Sequence, residues 1–182
     1  MATSALPFSL RAFPVGGRVL PAVTITGQAE RNRETLQLFY RLAGDLNGLA
    51  LPPPAAVPAL KNRLWEDTCL EFFLAPNDRE SYWEANFSPA GHWNLYRFDR
   101  YREGMAEEKQ ISTIPAQWHH TATGLELTLE LDLAPLVAAD QAIMVGINAV
   151  LRETSGAISH WALLHPQPQP DFHDRAGFLL TF

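Results

Sequence analysis

Residues 82–105 mix flat aromatic side chains with hydrogen-bonding groups, in the sequence YWEANFSPAGHWNLYRFDRYREGM. Glu84, Asn86 and Arg97 supply a carboxylate, an amide and a guanidinium. Sugars are bound by such a mixture, because their C–H faces lie on aromatic planes while their hydroxyls need well-placed donors and acceptors. The alternative is cross-strand packing, in which Glu84 pairs with an arginine. The aromatic residues of this stretch are Tyr82, Trp83, Phe87, Trp93, Tyr96, Phe98 and Tyr101.

Three carboxylates suggest a second kind of chemistry. Glu66, Glu71 and Glu84 could supply the acid and the nucleophile or base of a glycosidase. Glu71 stands in an otherwise apolar run, where a carboxylate needs a partner, and Arg97 or Arg152 could provide it. Nothing in the sequence sets two of these carboxyls at a reactive separation, so no catalytic residue is assigned.

Other reactive residue types give weaker signals. His165, Asp171, His173 and Asp174 occur in HPQPQPDFHD, but their spacing matches no compact metal motif. We therefore predict a stiff loop there and no metal site. Cys69 lies in an apolar run and is predicted to be a small core residue. The segment WHH at 118–120 is predicted to be an exposed turn rather than a site. No phosphate-binding glycine loop occurs, and the cofactor is left open.

Alternating apolar residues predict that these groups are carried by strands. The clearest case is LELTLELDL at 125–133, in which every second residue is leucine. Helix signals are confined to single turns in APLVAAD and RYREGMAEEKQ, and a long connection spans 44–63. Many short strands separated by turn signals favour an antiparallel β-sandwich, predicted as one domain over residues 1–182. Further strands are predicted at 6–13, 19–26, 33–42, 68–74, 82–87, 92–98, 143–151, 159–164 and 177–182.

The SPAG sequence at 88–91 predicts a hairpin turn, because Pro89 presets φ and Gly91 can adopt a positive φ. A four-residue loop places Glu84 opposite Leu95 and Tyr82 opposite Arg97. One face then carries Tyr82, Glu84, Asn86, Trp93, Leu95 and Arg97. A one-residue bulge would move the second strand to the opposite face.

Composition excludes several classes of partner. The 182-residue chain has a net charge of −6 and no basic stripe, which argues against nucleic acid and anionic membranes. A single cysteine precludes a disulfide within the chain and suits a reducing compartment. No signal peptide and no 18-residue apolar run are recognised, so we predict a cytoplasmic protein. The oligomeric state is left open.

Three segments carry a resemblance to a known family. LWEDTCLEFFLAP, the aromatic stretch from residue 82 and SHWALLHPQPQPDFHDRAGF resemble the DOMON-like domains grouped with family 9 carbohydrate-binding modules. The likeness is to a bacterial branch of stand-alone proteins. It implies a jelly-roll-like β-sandwich with few short helical turns and a ligand site on a concave face or its rim.

The resemblance also implies how a ligand would be held. Sugar-binding relatives sandwich the sugar between two aromatic planes, for which Trp65 and Trp161 are the candidates here. Haem-binding relatives use Met and His as axial ligands, which nominates Met105 with His165 or His173. We predict non-catalytic binding of a carbohydrate or glycoconjugate, with a sugar-active enzyme, a protein-interaction module and haem binding as alternatives. The predicted ligand-binding residues are Trp65, Glu71, Glu84, Asn86, Arg97, Asn148, Arg152, Trp161 and His165.

Overall fold

The structure, a computed structural model, describes residues 4–182 and consists of two antiparallel β-sheets packed face to face. Two single 3-10 turns occur, at Leu64–Glu66 and Arg175–Gly177. No helix among the described residues is long and apolar enough to cross a membrane. The strands are β1 (Leu6–Ser9), β2 (Arg11–Ala12), β3 (Val23–Asn32), β4 (Thr35–Gly44), β5 (Cys69–Pro76), β6 (Tyr82–Phe87), β7 (Trp93–Phe98), β8 (Ala106–Glu107), β9 (Ala116–Thr121), β10 (Gly124–Asp132), β11 (Ile143–Arg152), β12 (Ile158–Ala162) and β13 (Leu180–Thr181).

The two sheets divide the strands unequally. The five-stranded sheet has the order β1-β3-β4-β10-β9. The eight-stranded sheet has the order β2-β12-β11-β5-β6-β7-β8, and β13 also pairs with β11. The predicted all-β antiparallel sandwich is therefore confirmed.

The core lies between the inner faces of the two sheets. Alternate leucines of β10 are fully buried against this core, as their period-two spacing predicts. Burial of each such side chain contributes about 1.5–3 kcal/mol to folding. Tyr40 on β4 is also buried here, and its hydroxyl donates a hydrogen bond of 2.8 Å to the backbone oxygen of Glu71 on β5. This bond ties the two sheets together directly beneath Glu71.

The outer face of the eight-stranded sheet is also covered, so every residue of β5 and β6 is buried. The segment 163–179 lies over this face, and Phe178 packs on Phe73 and Tyr82 with ring centroids 5.6 and 6.3 Å apart. Gly146 on β11 permits this approach, because a Cβ there would lie only 2.7 Å from the Phe178 ring. The sheet therefore carries a second, smaller apolar cluster outside the main core.

The predicted hairpin register was wrong by one residue. The loop contains five residues, 88–92, and Phe87 pairs directly with Trp93. Gly91 has a φ of 89°, and the Ser88 N–H donates to the His92 carbonyl at 2.9 Å. The extra residue turns β7 over, as the one-residue bulge would. The shared outer face therefore carries Tyr82, Glu84, Asn86, Asn94, Tyr96 and Phe98.

Two local predictions were also wrong. The segment WHH, residues 118–120, was predicted to be an exposed turn but lies within β9, whose side chains alternate between half-buried and exposed. The segment RYREGMAEEKQ forms no helical turn, because Ala106 and Glu107 pair with β7 instead. In both places tertiary pairing at a sheet edge overrides a weak local signal.

Candidate functional site

A cavity of about 410 Å³ opens on the outer face of the eight-stranded sheet. Its floor comes from β5, β6 and β11, because their outward side chains share this face. Its walls come from the turn at 64–66, the loop at 99–105 and the segment 163–179. The cavity is lined by Trp65, Glu71, Phe73, Glu84, Phe98, Arg102, Met105, Val150, His160, Pro170, Phe172 and His173.

A row of polar residues crosses the floor of this face from strand to strand. Asn148 on β11 pairs with Glu71 on β5, which pairs with Asn86 on β6, which pairs with Asn94 on β7. Directly opposed residues project from the same face of an antiparallel sheet, so the four side chains are neighbours. All four are buried, which is costly for polar groups and is tolerated only where they find partners.

Hydrogen bonds fix most of this row. The Asn86 Nδ2 donates to Glu84 Oε1 at 2.8 Å and to Asn94 Oδ1 at 3.0 Å. The Asn94 Nδ2 in turn donates to the backbone oxygen of Lys61 at 2.5 Å. These hydrogen bonds orient the Glu84 carboxyl through its Oε1. The other carboxyl oxygen, Oε2, is left on the cavity side, 3.8 Å from His173 Nε2.

Two buried polar atoms in the row have no such partner. Glu71 is 2% exposed and Asn148 is 4% exposed. Within residues 4–182, neither Glu71 Oε1 nor Asn148 Nδ2 forms a hydrogen bond. An unpaired buried polar group costs about 1–3 kcal/mol. A ligand that satisfied these atoms would recover that free energy.

Burial raises the pKa values of both carboxyls. The pKa of Glu84 is raised to about 7, mainly by burial, against the opposing effects of the Asn86 hydrogen bond and the Arg102 charge. The pKa of Glu71 is raised well above its usual range by burial and then by the negative charge of Glu84. At pH 7 the Glu84 carboxyl is therefore about half protonated, and burial favours the neutral form of Glu71 as well.

His173 and Arg102 form the wall above Glu84. The Tyr82 hydroxyl lies 2.7 Å from His173 Nδ1 and accepts a hydrogen bond from the Arg102 N–H at 3.1 Å. Burial and the Arg102 charge lower the pKa of His173 to about 4, so its ring is neutral at pH 7. The Arg102 guanidinium is held by the Asp171 carboxylate, with Nη2 and Oδ1 2.8 Å apart.

Trp65 supplies an aromatic wall opposite this group. It lies in the 3-10 turn that precedes β5 and packs edge-on against Tyr96, with ring centroids 5.6 Å apart. The Tyr96 hydroxyl donates to Asn62 Oδ1 at 2.7 Å, which anchors that turn to the sheet. The Trp65 ring is therefore positioned by contacts that leave one side of it facing the cavity.

Five of the nine predicted ligand-binding residues come together. Trp65, Glu71 and Glu84 line the cavity, while Asn86 and Asn148 lie in the polar row at its floor. The arginine partner that was considered for Glu71 is not found. The two candidates form ion pairs elsewhere, Arg97 with Asp99 and Arg152 with Asp67.

The other four predicted residues lie outside the cavity. Arg97 points to the opposite face because of the hairpin register. Trp161 is buried in the core between the sheets, since alternation along β12 turns the neighbouring His160 outward. Arg152 reaches Asp67 at 3.2 Å, and His165 Nε2 lies 2.9 Å from the Arg11 backbone oxygen.

The predicted set of ligand-binding residues omits those that reach the cavity from loops. Arg102, Phe172 and His173 come from segments whose return over the sheet leaves no periodic signal. The haem alternative required Met105 and a histidine, and Met105 and His173 do line the same cavity. Both ring nitrogens of His173 already face Tyr82 and Glu84, so the geometry does not favour iron ligation. Nor do three His, Cys, Asp or Glu side chains converge on a metal position anywhere in residues 4–182.

Comparison with known proteins defines the class of fold. No protein-family model and no curated protein matches the chain. Solved structures do match: the chain has the fold of family 9 carbohydrate-binding modules, as the sequence resemblance implied. A candidate carbohydrate-binding protein from Bacteroides uniformis matches with a TM-score of 0.67 and 14% identity, over 98% of this chain and 85% of that one.

Two further matches are structures of family 9 modules from Caldicellulosiruptor kristjanssonii. One, in complex with cellotriose, has a TM-score of 0.55 and 11% identity, over 90% of this chain and 75% of that one. The other, in complex with glucose, has a TM-score of 0.52 and 11% identity, over 82% and 71% of the two chains. At these identities the likeness defines the fold of the present chain.

Proposed function

We propose that the cavity binds a carbohydrate without chemically changing it. The observation that carries this proposal is Glu71 Oε1, a buried acceptor without a partner in the described chain, at a cavity with aromatic walls. Sugar hydroxyls can both donate and accept, so they match an unpaired carboxyl oxygen such as Glu71 Oε1 and an unpaired amide group such as Asn148 Nδ2. Similarity of fold to modules solved with cellotriose and glucose supports the same ligand class.

The aromatic walls supply the second half of this recognition. Trp65, Phe98 and Phe172 border the cavity and offer flat apolar surface to the C–H faces of a sugar ring. The carboxyls and amides below then reject ligands that leave them unpaired. A cavity of about 410 Å³ is within the range of small-ligand sites and accommodates one or two sugar rings.

Calorimetric titration with glucose, cellobiose and cellotriose tests this proposal. We expect saturable binding by at least one of these sugars. Trp65→Ala should weaken it about tenfold or more, because one aromatic wall is lost. The matched control is Phe39→Ala on the outer face of the five-stranded sheet, which should bind as wild type does. Absence of binding across a broad glycan panel would contradict the proposal.

A sugar-active enzyme is the second candidate, favoured by one specific observation. Glu71 and Glu84 share a cavity, and the pKa of Glu84 is raised to about 7, which suits a general acid at neutral pH. A panel of chromogenic glycosides decides between the two functions. Turnover that Glu84→Gln abolishes while sugar binding persists would establish the enzyme, whereas binding without turnover would establish the binding protein.

A further inference from the structure

The two carboxyls of the cavity have no cationic partner among the described residues. Glu71 and Glu84 are diagonal cross-strand neighbours, whose Cβ atoms typically lie about 7 Å apart. Among the described residues that line the cavity, Arg102 is the one guanidinium, and Asp171 already holds it. His173 is neutral at pH 7. Two carboxyls therefore face the cavity without a cation of their own.

The unpartnered atoms indicate what the cavity lacks. The free acceptor is Glu71 Oε1, which has no hydrogen bond, and beside it Glu84 Oε2 lies 3.8 Å from His173 Nε2, beyond hydrogen-bond distance. A ligand group with several N–H donors and a positive charge satisfies both oxygens and removes the need for retained protons. The rings of Phe73 and Phe98, which border the same space, add favourable contacts for a cation.

Resting on the sugar-binding function proposed above, we propose that the preferred ligand is an amino sugar. Its ammonium group lies between the Glu71 and Glu84 carboxylates, while its ring packs on the aromatic walls. Anionic sugars such as uronic acids are disfavoured, because a ligand carboxylate beside Glu71 and Glu84 would be buried without a cation to pair with. A neutral hexose binds through its hydroxyls but leaves the carboxyl protons in place.

Proton release follows from this arrangement. An ammonium group beside the two carboxyls stabilises their ionised forms and lowers both pKa values. The protons that the free protein retains near neutral pH then leave when the ligand binds. The titratable and charged groups around the two carboxyls are Tyr40, Cys69, Tyr82, Tyr96, Arg102, His160 and His173, and Asp171 pairs with Arg102.

Matched pairs of ligands test the charge preference. The probes are glucose and its 2-amino, 3-amino and 6-amino derivatives, titrated calorimetrically at pH 6.5 in two buffers of different ionisation enthalpy. We expect at least one amine to bind about tenfold more tightly than glucose, the effect of one charge-assisted hydrogen bond. That amine should release protons, up to about two when both carboxyls ionise, and glucose none. Equal affinities for glucose and every amine would overturn the inference and leave the sugar-binding function standing.

Substitution of each cavity carboxyl tests where the ammonium group of the ligand binds. In Glu71→Gln the ratio of amine to glucose affinity should fall towards one, with loss of proton release, and Glu84→Gln provides an independent second variant. Glu130→Gln, on the outer face of the five-stranded sheet, is the control and should keep the wild-type ratio. An unchanged ratio in both cavity variants would overturn the assignment of the ammonium position.

A pair of ligands that lack the other hydroxyls of a sugar separates this inference from the proposed function. Cyclohexylamine and cyclohexanol share a ring size but carry no further sugar groups. If no sugar binds while cyclohexylamine still binds more tightly than cyclohexanol, the sugar function fails and the cation site stands. If neither sugars nor cyclohexylamine bind, both proposals fail.

Discussion

The outer faces of the two sheets carry depressions of similar size, but the polar groups of one are exposed to water and those of the other are buried. The depression on the five-stranded sheet measures about 430 Å³ and surrounds Phe39. There Gln37 Nε2 donates to Glu130 Oε2 at 2.8 Å, and both side chains remain exposed to water. On the eight-stranded sheet, Glu71 and Glu84 are buried and one of their oxygens has no partner.

This difference shows that cavity volume alone does not identify a binding site. Water satisfies the polar groups of the five-stranded sheet whether or not a ligand is present. The eight-stranded sheet holds its polar groups away from water, so a ligand there replaces a missing partner rather than displacing a good one. The contrast can be tested by making equivalent changes on the two faces.

The largest expected difference is in the stability lost when one phenylalanine on each outer face, Phe73 or Phe39, is replaced by alanine. Phe73 is 1% exposed and packs against Tyr82, His173 and Phe178, so Phe73→Ala should reduce the free energy of unfolding by about 3–5 kcal/mol. Phe39→Ala, on the half-buried equivalent, should cost roughly 1 kcal/mol. Urea unfolding of the two variants measures both. Equal losses would show that the outer cluster on the eight-stranded sheet adds no stability of its own.

The next largest effect is a pH-dependent difference in the free energy of unfolding between Glu84→Gln and the wild-type protein. A carboxyl whose folded pKa is about 7, against about 4.5 unfolded, stabilises the fold below pH 4.5 and loses that contribution as pH rises through 7. Glutamine has no such loss, so the variant should gain about 3 kcal/mol relative to wild type between pH 4.5 and 7.5. Urea unfolding at several pH values measures this difference.

His173 makes the comparison with wild type essential. Its pKa is lowered to about 4, so its contribution is lost as pH falls through that value and partly masks the slope from Glu84. The His173 contribution is the same in the wild-type protein and in Glu84→Gln, so it cancels in the difference between their free energies of unfolding. Glu130→Gln serves as the control on the other face, because both buried carboxyls remain. A difference that does not change with pH would contradict the raised pKa of Glu84.

The smallest effects concern ion pairs. The Asp171 side chain is 7% exposed and accepts hydrogen bonds from Arg102, Tyr101 and the His173 N–H, so Asp171→Asn should cost about 1 kcal/mol. Glu126→Gln breaks a 3.8 Å contact to Arg41 on the five-stranded sheet and should cost less than about 0.5 kcal/mol. Thermal unfolding detects both. Comparable losses would show that the two faces hold charges in the same way.

Much of the sandwich could be predicted because periodicity is a local property. The leucines of 125–133 and the apolar run of 143–151 became β10 and β11. Glu71 was conspicuous for the same reason, as a single carboxylate within an apolar strand. A buried charged residue type in such a pattern is a signal that one sequence is sufficient to reveal.

The rest of the site depended on facts that no local pattern contains. One additional loop residue at His92 inverted the face of β7 and removed Arg97 from the site. By residue type alone Trp161 is a good candidate for a sugar-stacking ring. Side chains alternate along β12, however, so Trp161 lies in the core and His160 lies at the cavity. The wall formed by Phe172 and His173 depends on a non-periodic segment folding back across the sheet, and its path is set by contacts distant in sequence.

That returning segment, 163–179, has a consequence for the order in which the molecule is built. A chain is synthesised from its N-terminus, so strands β1 to β12 leave the ribosome before this segment does. Until then the polar row of the eight-stranded sheet is hydrated like any other surface. The proposed site therefore forms only after this segment has folded across the sheet, and a nascent chain that ends at β12 would lack the wall made by Phe172 and His173.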